Sequence, residues 1–310
     1  MRRFHVSLIA IVLMLGSSVS SAWGADKLRV VTTIPDLKSL AEAVGGDRVE
    51  VDSLTRGTQN FHEAEVRPSM MLKLRRADLL IENGLDLDAW VDVAVLGANN
   101  PKIIRGAPGR VDVSRGIPVL EVPSVRVDRS MGDVHPLGNP HFSLDPGLAP
   151  LITQTILDGL ARLAPDHRAA FERNRRDFLS RLDGEMSRWT KTMEPLKGAK
   201  VVVFHPDFIY FVHRFELVQA GTVEDKPGIP PSPQHSLEVI DAMKQQGAKL
   251  IIVEPYFDLK TPQSIATQVG GKVLVLAPSV GGTKEATDYI QLFEYDVTQL
   301  AAAFKQLTGK

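Results

Sequence analysis

Phe171, Phe178, Leu182, Met186 and Trp189 follow one another at seven-, four-, four- and three-residue spacing, with Arg and Glu among the residues between them. This is the apolar stripe of an amphipathic helix, and it predicts one helix over 166–192. At 1.5 Å per residue such a helix spans about 40 Å, the width of a whole domain. It must therefore run the full height of the molecule as a strut. Ala164-Pro165-Asp166 separates it from a second helical pattern at 147–162, and Pro165 or Asp166 can start it.

Each side of the strut carries the same alternation. Before it, a β-branched strand at 28–34 leads through Asp36 into a helix that stops at Gly45-Gly46. A strand at 48–54, a helix at 70–76 after Pro68, a buried-type strand at 77–81 and a helix at 89–96 follow. Pro, Gly and short apolar runs punctuate 97–146, the pattern of strands and loops closing a first lobe. After the strut come strands at 199–204, 215–220, 249–253 and 272–276, with helices at 207–214, 236–246, 261–269 and 288–307. Short β-branched runs alternating with helical patterns form parallel sheets covered by helices. The expected fold class is α/β: two similar lobes with parallel β-sheets and flanking helices, 26–163 and 195–310, joined by a long rigid backbone helix at 164–194. Two such lobes around a strut imply a cleft between them.

The 310 residues exceed the usual size of a single core. With 44% apolar and 24% charged residues the chain reads as globular rather than disordered. A net charge of −1 offers no basic field for nucleic acid, which is excluded as a partner class. Arg2 and Arg3 precede an apolar run from Val6 to Leu15 and then small residues, so 1–24 reads as a signal peptide cleaved near 22–25. The run falls short of the roughly 18 apolar residues a membrane span needs. The chain has no Cys, hence no acceptor for a lipid anchor, no disulfide and no thiolate ligand. A free periplasmic monomer is expected, and any metal in it must be held by nitrogen and oxygen.

Of the eight His, His5 leaves with the signal peptide, His167 sits among polar residues on the strut's first turn, and His213 and His235 read as a helix surface and a helix cap. His62, His141 and His205 differ. Each lies in a loop beyond a predicted strand: Asn60-Phe-His62-Glu, Asn139-Pro-His141-Phe and Phe204-His205-Pro. Ligands of open parallel sheets bind beyond the carboxyl ends of the strands, so the three loops can converge on one cleft. Taken singly, each reads as readily as an isolated loop His with one hydrogen bond. Taken together they suit zinc, which neutral imidazole binds at about 2.0–2.1 Å without the proton-removal cost of a thiol. Glu63, Glu65 and Glu254 are the nearby carboxylates, as ligands or as acceptors that fix a His tautomer.

At these loops the sequence resembles the metal-binding receptors of bacterial zinc and manganese ABC importers, the cluster A-I solute-binding receptors. Where that family has Asp-Pro-His-x-Tyr-Glu-Pro-x-Pro-Ser, the chain reads Asn60-Phe-His62-Glu-Ala-Glu65-Val-Arg-Pro68-Ser69, followed by Ala77-Asp78 and Asn83-Gly84-Leu85. Asn139-Pro140-His141-Phe-Ser-Leu144-Asp145-Pro146 matches a second motif, and Phe204-His205-Pro-Asp-Phe208-Ile-Tyr210-Phe211 a third. Gly228-Ile-Pro-Pro231-Ser232-Pro233 and Val253-Glu254-Pro255-Tyr-Phe257 are also family-like, and the likeness runs from about residue 28 to 305.

The resemblance implies that His62, His141 and His205 bind the metal and that helix 166–192 is the family's backbone helix; Glu63, Glu65 and Asp145 are expected to brace the ligands. Many members draw a fourth ligand from an Asp after the last buried strand, where this chain has Leu276-Ala277-Pro278-Ser279-Val280-Gly281-Gly282 and no carboxylate. Water or a nearby glutamate must then complete the shell, Glu254 being the leading protein candidate. Of the long His- and acid-rich loop that many zinc receptors carry before the second motif, only Asp133, His135 and a few neighbours remain. Three imidazoles without a clear carboxylate favour Zn2+ over Mn2+ as the transported ligand. The resemblance further implies capture in the periplasm, delivery to an ABC-type permease with its ATPase subunit, and no enzymatic activity. The other readings are a secreted three-His zinc hydrolase with Glu63 or Glu65 as base, and a metal-binding adhesin. The hydrolase lacks the helix-borne His-Glu-x-x-His pattern.

Overall fold

The computed structural model describes residues 27–309, so the signal-peptide expectation for 1–24 lies outside the described residues. Strands β1 (Leu28–Thr32), β2 (Val49–Ser53), β3 (Leu79–Glu82) and β4 (Arg110–Asp112) form one sheet in the order β2-β1-β3-β4. Strands β5 (Lys200–Val203), β6 (Val218–Thr222), β7 (Leu250–Val253) and β8 (Lys272–Val275) form a second in the order β6-β5-β7-β8. Every pairing is parallel, and the two sheets share one topology. In each, the chain steps first to one side of the opening strand and then to the other. The point where strand order reverses, between β1 and β3 and between β5 and β7, is where such sheets take ligands.

The helices are α1 (Pro35–Gly45), α2 (Pro68–Arg76), α3 (Val91–Ala98), α4 (Ala149–Leu163), α5 (Arg168–Met193), α6 (Ile209–Arg214), α7 (Pro233–Gln246), α8 (Lys260–Gln268) and α9 (Tyr289–Thr308). The strut is α5, entered through a 3-10 turn at Pro165–His167 that uses the proline where its missing N–H costs nothing. Phe171, Phe178, Leu182 and Trp189 of its stripe are buried and Met186 packs beside them. Two sequence expectations shift. The strand read at 215–220 begins at Val218, because Phe215 and Leu217 close α6 instead, their N–H groups donating to Phe211 O and Val212 O. Of 97–146, only Arg110–Asp112 is strand; 97–98 end α3, and the rest is turns, short 3-10 segments and irregular chain.

Strand residues alternate between two apolar layers, as sheets covered on both faces require. Val30, Leu79, Ile81 and Val111 of the first sheet face inward, as do Val201, Val203, Leu250 and Ile252 of the second. Both sets join the α5 stripe in a single continuous core. Val31 and Leu80 face outward beneath α2 and α3, and Val202, Ile251 and Val253 beneath α7 and α8. Helix α5 packs on α1 and α4 on one side and on α9 on the other. The two sheets are thus fixed through one close-packed interior rather than through a flexible connection.

Polar bonds across the cleft reinforce this. The buried Asp36, in the first turn of α1, accepts from Ser143 Oγ at 2.8 Å, and from Ser279 Oγ at 2.6 Å and Val280 N at 2.7 Å. Tyr210 of α6 donates its hydroxyl to Asn139 O and accepts from Leu120 N, both at 2.9 Å. No helix among the described residues is long and apolar enough to cross a membrane.

Candidate metal site

His62 lies in the loop between β2 and α2, and His141 ends the long stretch before α4. Both are set by the same local device. The His62 N–H donates to Asn60 Oδ1 and the His141 N–H to Asn139 Oδ1, each at 3.0 Å, so the asparagine two residues upstream turns the backbone and aims the ring. Trp90 Nε1 anchors the first loop by donating to Phe61 O, and Asn83 Nδ2 anchors the second by donating to Pro140 O. His205 follows β5 after Phe204, and Asp207 sits in the 3-10 turn Pro206–Phe208 that leads into α6.

These four side chains converge: each of His62, His141, His205 and Asp207 presents a ligand atom, all within 4.8 Å of one another. His62 Nε2 is 3.1 Å from His141 Nε2, and Asp207 Oδ1 is 2.9 Å from His141 Nε2 and 3.5 Å from His205 Nε2. Four donors on a tetrahedron with zinc-ligand bonds of about 2.05 Å stand roughly 3.3 Å apart, and these three separations are of that size. Asp207 Oδ1 is buried and, for all its proximity to the imidazoles, accepts no hydrogen bond of good geometry. Its other oxygen accepts from Tyr256 Oη at 2.8 Å. A buried carboxylate oxygen left unpaired is costly unless a cation compensates it.

Partners outside the cluster set the tautomers. His205 Nδ1 lies 2.7 Å from Glu224 Oε2, and donating there leaves the Nε2 lone pair facing Asp207 and the other rings. His62 Nδ1 lies 3.2 Å from His135 Nε2, which can accept its proton with the same result. The charges follow from packing. Burial, and then the neighbouring His141 and His205, push the His62 imidazolium well below its usual range. The same causes bring His135 down to about 4. Burial pulls His205 down as well, but Asp207 and Glu224 outweigh it and raise its pKa. Burial raises Asp207, yet His141 and His205 overcome it and hold the carboxyl well below the usual range.

The remaining carboxylates of the sequence reading stand elsewhere. Glu254, beyond β7, is wholly buried with neither oxygen hydrogen-bonded and is not among the four converging donors. Burial, and then Asp207 and Glu224, push its carboxyl well above the usual range. Glu63 and Glu65 are exposed. Asp145 pairs with Arg214, whose Nη2 lies 2.8 Å away, and accepts from Gly147 N in the 3-10 turn Pro146–Leu148 before α4. The loop at 276–282 is bonded through Ser279 and Val280 to Asp36. Asp207, Glu224 and Tyr256 had no place in the sequence reading, although Asp207 lies inside the His205 motif.

The sequence profile of one protein family, described as the periplasmic zinc-uptake complex component A, matches residues 30–303. The high-affinity zinc uptake protein ZnuA of Bacillus subtilis (strain 168) is 23% identical, over 89% of this chain and 87% of its own. The iron-binding protein YfeA of Yersinia pestis is 26% identical, over 91% of this chain and 88% of its own. A crystal structure of ZnuA superposes with a TM-score of 0.76 at 27% identity, covering 90% of this chain and 99% of that one.

Proposed function

Because the chain belongs to the family of the periplasmic zinc-uptake component A, a family of metal-binding receptors serving ABC importers, we propose that it captures zinc between its two sheets and passes it to a permease and its ATPase subunit. The ligands are His62, His141, His205 and Asp207. The observation that carries this reading is Asp207 Oδ1, buried, without a hydrogen bond, and set among three inward imidazole nitrogens. Zinc supplies the missing partner.

Three nitrogens and one oxygen at tetrahedral spacing suit a borderline-soft dication, with manganese, which prefers more oxygen donors, as the second cargo. Asp207 takes the fourth position that sequence reasoning gave to Glu254. Bracing passes from Glu63, Glu65 and Asp145 to Glu224 and His135. Four protein donors close the shell and leave no open position for an activated water, which favours a receptor over a hydrolase. The protein works as a periplasmic monomer delivered by a cleavable signal peptide.

A shared core resists hinge opening, so release begins in a loop. His62 is the half-buried ligand of the four, and its loop is held by hydrogen bonds from the His62 N–H to Asn60 and from Trp90 to Phe61. Hydrogen exchange should show segment 54–67 faster without zinc and segment 200–204 unchanged; equal changes in both would exclude local release. The function itself is tested by elemental analysis of protein purified without chelators. One zinc per chain is expected, and none in H62A/H141A/H205A. Metal retained by that variant would place the site elsewhere.

A further inference from the structure

A cavity of about 450 Å³ opens at the free edge of the first sheet, between β4 and α4, and shares no residue with the metal site. Arg105, Arg110, Arg115 and Arg162 line it together with Glu82, Asp112 and Thr155. Its floor is fixed. The Arg110 side chain is 4% exposed, and its Nε and Nη2 bond Glu82 at 2.9 and 2.5 Å, with Nη2 also 2.7 Å from Asp92. Arg105 holds the other Asp92 oxygen through Nε and Nη2 at 3.0 and 2.6 Å. Asp112 Oδ1 is occupied by Ser114 N and Oγ. Both oxygens of Glu82 and of Asp92 are therefore already bonded, and Asp112 Oδ2 is the one carboxylate oxygen of the three acids without a hydrogen bond among the described residues.

The donors are not spent. Among the described residues, Nη1 of Arg105 and of Arg110 makes no hydrogen bond, Arg162 uses only Nη1, on Pro108 O at 2.8 Å, and Arg115 has no partner at all. Four guanidiniums face three carboxylates, and the surplus lies on the two arginines without an acidic partner. Guanidinium forks bind tetrahedral oxyanions bidentately and hold a cation's charge at every pH of interest.

We propose that this cavity is a binding site for a phosphate-type oxyanion, seated between the Arg115 and Arg162 forks above the fixed Arg110. The volume exceeds that of phosphate alone, so both the free ion and the phosphodiester of an anionic lipid headgroup fit. Calorimetric titration of the zinc-loaded protein with inorganic phosphate at low salt tests the site. Flotation with phosphatidylglycerol vesicles, against phosphatidylcholine alone, tests the source. Arg115 and Arg162 are exposed, so R115A/R162A spares the floor and the fold.

The wild type should bind phosphate, and the variant should bind it roughly tenfold more weakly or not at all, with zinc affinity equal in both. R115K/R162K, which keeps charge and loses the fork, should fall between them. Flotation on phosphatidylglycerol that phosphate competes away assigns the headgroup; phosphate binding without flotation assigns the free ion. Equal phosphate binding by wild type and R115A/R162A overturns the site. So does an absence of phosphate binding, whether flotation is absent or persists unchanged in the variant.

Discussion

Glu224→Gln is the substitution that most directly separates charge from geometry at the metal site. One carboxylate oxygen, Oε2, accepts from both His205 Nδ1 at 2.7 Å and Gly228 N at 2.9 Å. A glutamine with its amide oxygen there keeps both bonds and loses only the charge. Partners of this kind to a metal-binding His contribute about 10- to 100-fold in affinity, or about 1.4–2.7 kcal/mol. The size of the effect depends on pH, with a sign that can be worked out. In the zinc-free protein burial depresses His205, but Asp207 and Glu224 prevail and raise its pKa. Zinc must displace that proton, so affinity falls about tenfold per pH unit below the raised value. Removing the Glu224 charge weakens the ligand where the ring is neutral and lessens proton competition where it is charged. Measured with a chromophoric competitor, the ratio of variant to wild-type Kd should be largest near pH 8.5 and shrink toward pH 6. Stability of the zinc-free protein moves with it. The imidazolium contribution is whole below the unfolded pKa near 6.5 and lost as pH rises through the raised folded value, so wild type should outgain the variant on acidification. A Kd ratio flat across this range, or no loss of affinity at all, would refute the role given to Glu224.

Asp207→Asn should weaken zinc binding by at least about 2 kcal/mol, roughly thirtyfold, because it removes the buried charge facing the cation. Glu254→Gln, in contrast, keeps the shape of a side chain outside the four converging donors and should leave the zinc Kd nearly unchanged; the reverse ranking by calorimetry would return the fourth position to Glu254. Asp36→Ala strands Ser143, Ser279 and Val280 in the interior and should cost about 2–4 kcal/mol in urea denaturation of the zinc-free protein. Asp36→Asn should be far milder, since the amide oxygen can serve Ser279 and Val280 while the Ser143 hydroxyl turns to accept. Chelation of zinc should lower thermal stability, since free zinc at a hundred times its Kd adds about 2.7 kcal/mol by mass action; an unchanged Tm would contradict binding to the folded state.

What the sequence discloses and what it withholds divide along a physical line. Hydrophobic period is a local property, so the α5 stripe and the β-branched runs announced nearly every helix and strand, and their alternation announced parallel sheets. One exception, the late start of β6, arose where Phe215 and Leu217 were spent on closing α6, a tertiary demand that their side chains alone do not express. The three histidines were legible because each follows a strand in a loop of recognisable motif. The carboxylates were not, because orientation is not a period. Glu254 and Asp207 both lie beyond strands at the switch point of the second sheet, equal candidates by position. Pro206 and the 3-10 turn bring Asp207 Oδ1 back beside the rings, while Glu254, next along β7 after the outward Val253, is buried without partners. Glu224 lies 19 residues from His205 and becomes its neighbour only through the parallel pairing of β5 with β6, which sets Glu224 N on Phe204 O. His135 depends on a contact still farther off, Asp133 N on Pro227 O across the cleft. Each hidden residue thus required knowing which strand ends are neighbours, and the repeated order of the two sheets supplies that knowledge for any chain with the same alternation. In such a chain, an acid directly after a strand-end His-Pro is the first place to look for the missing ligand.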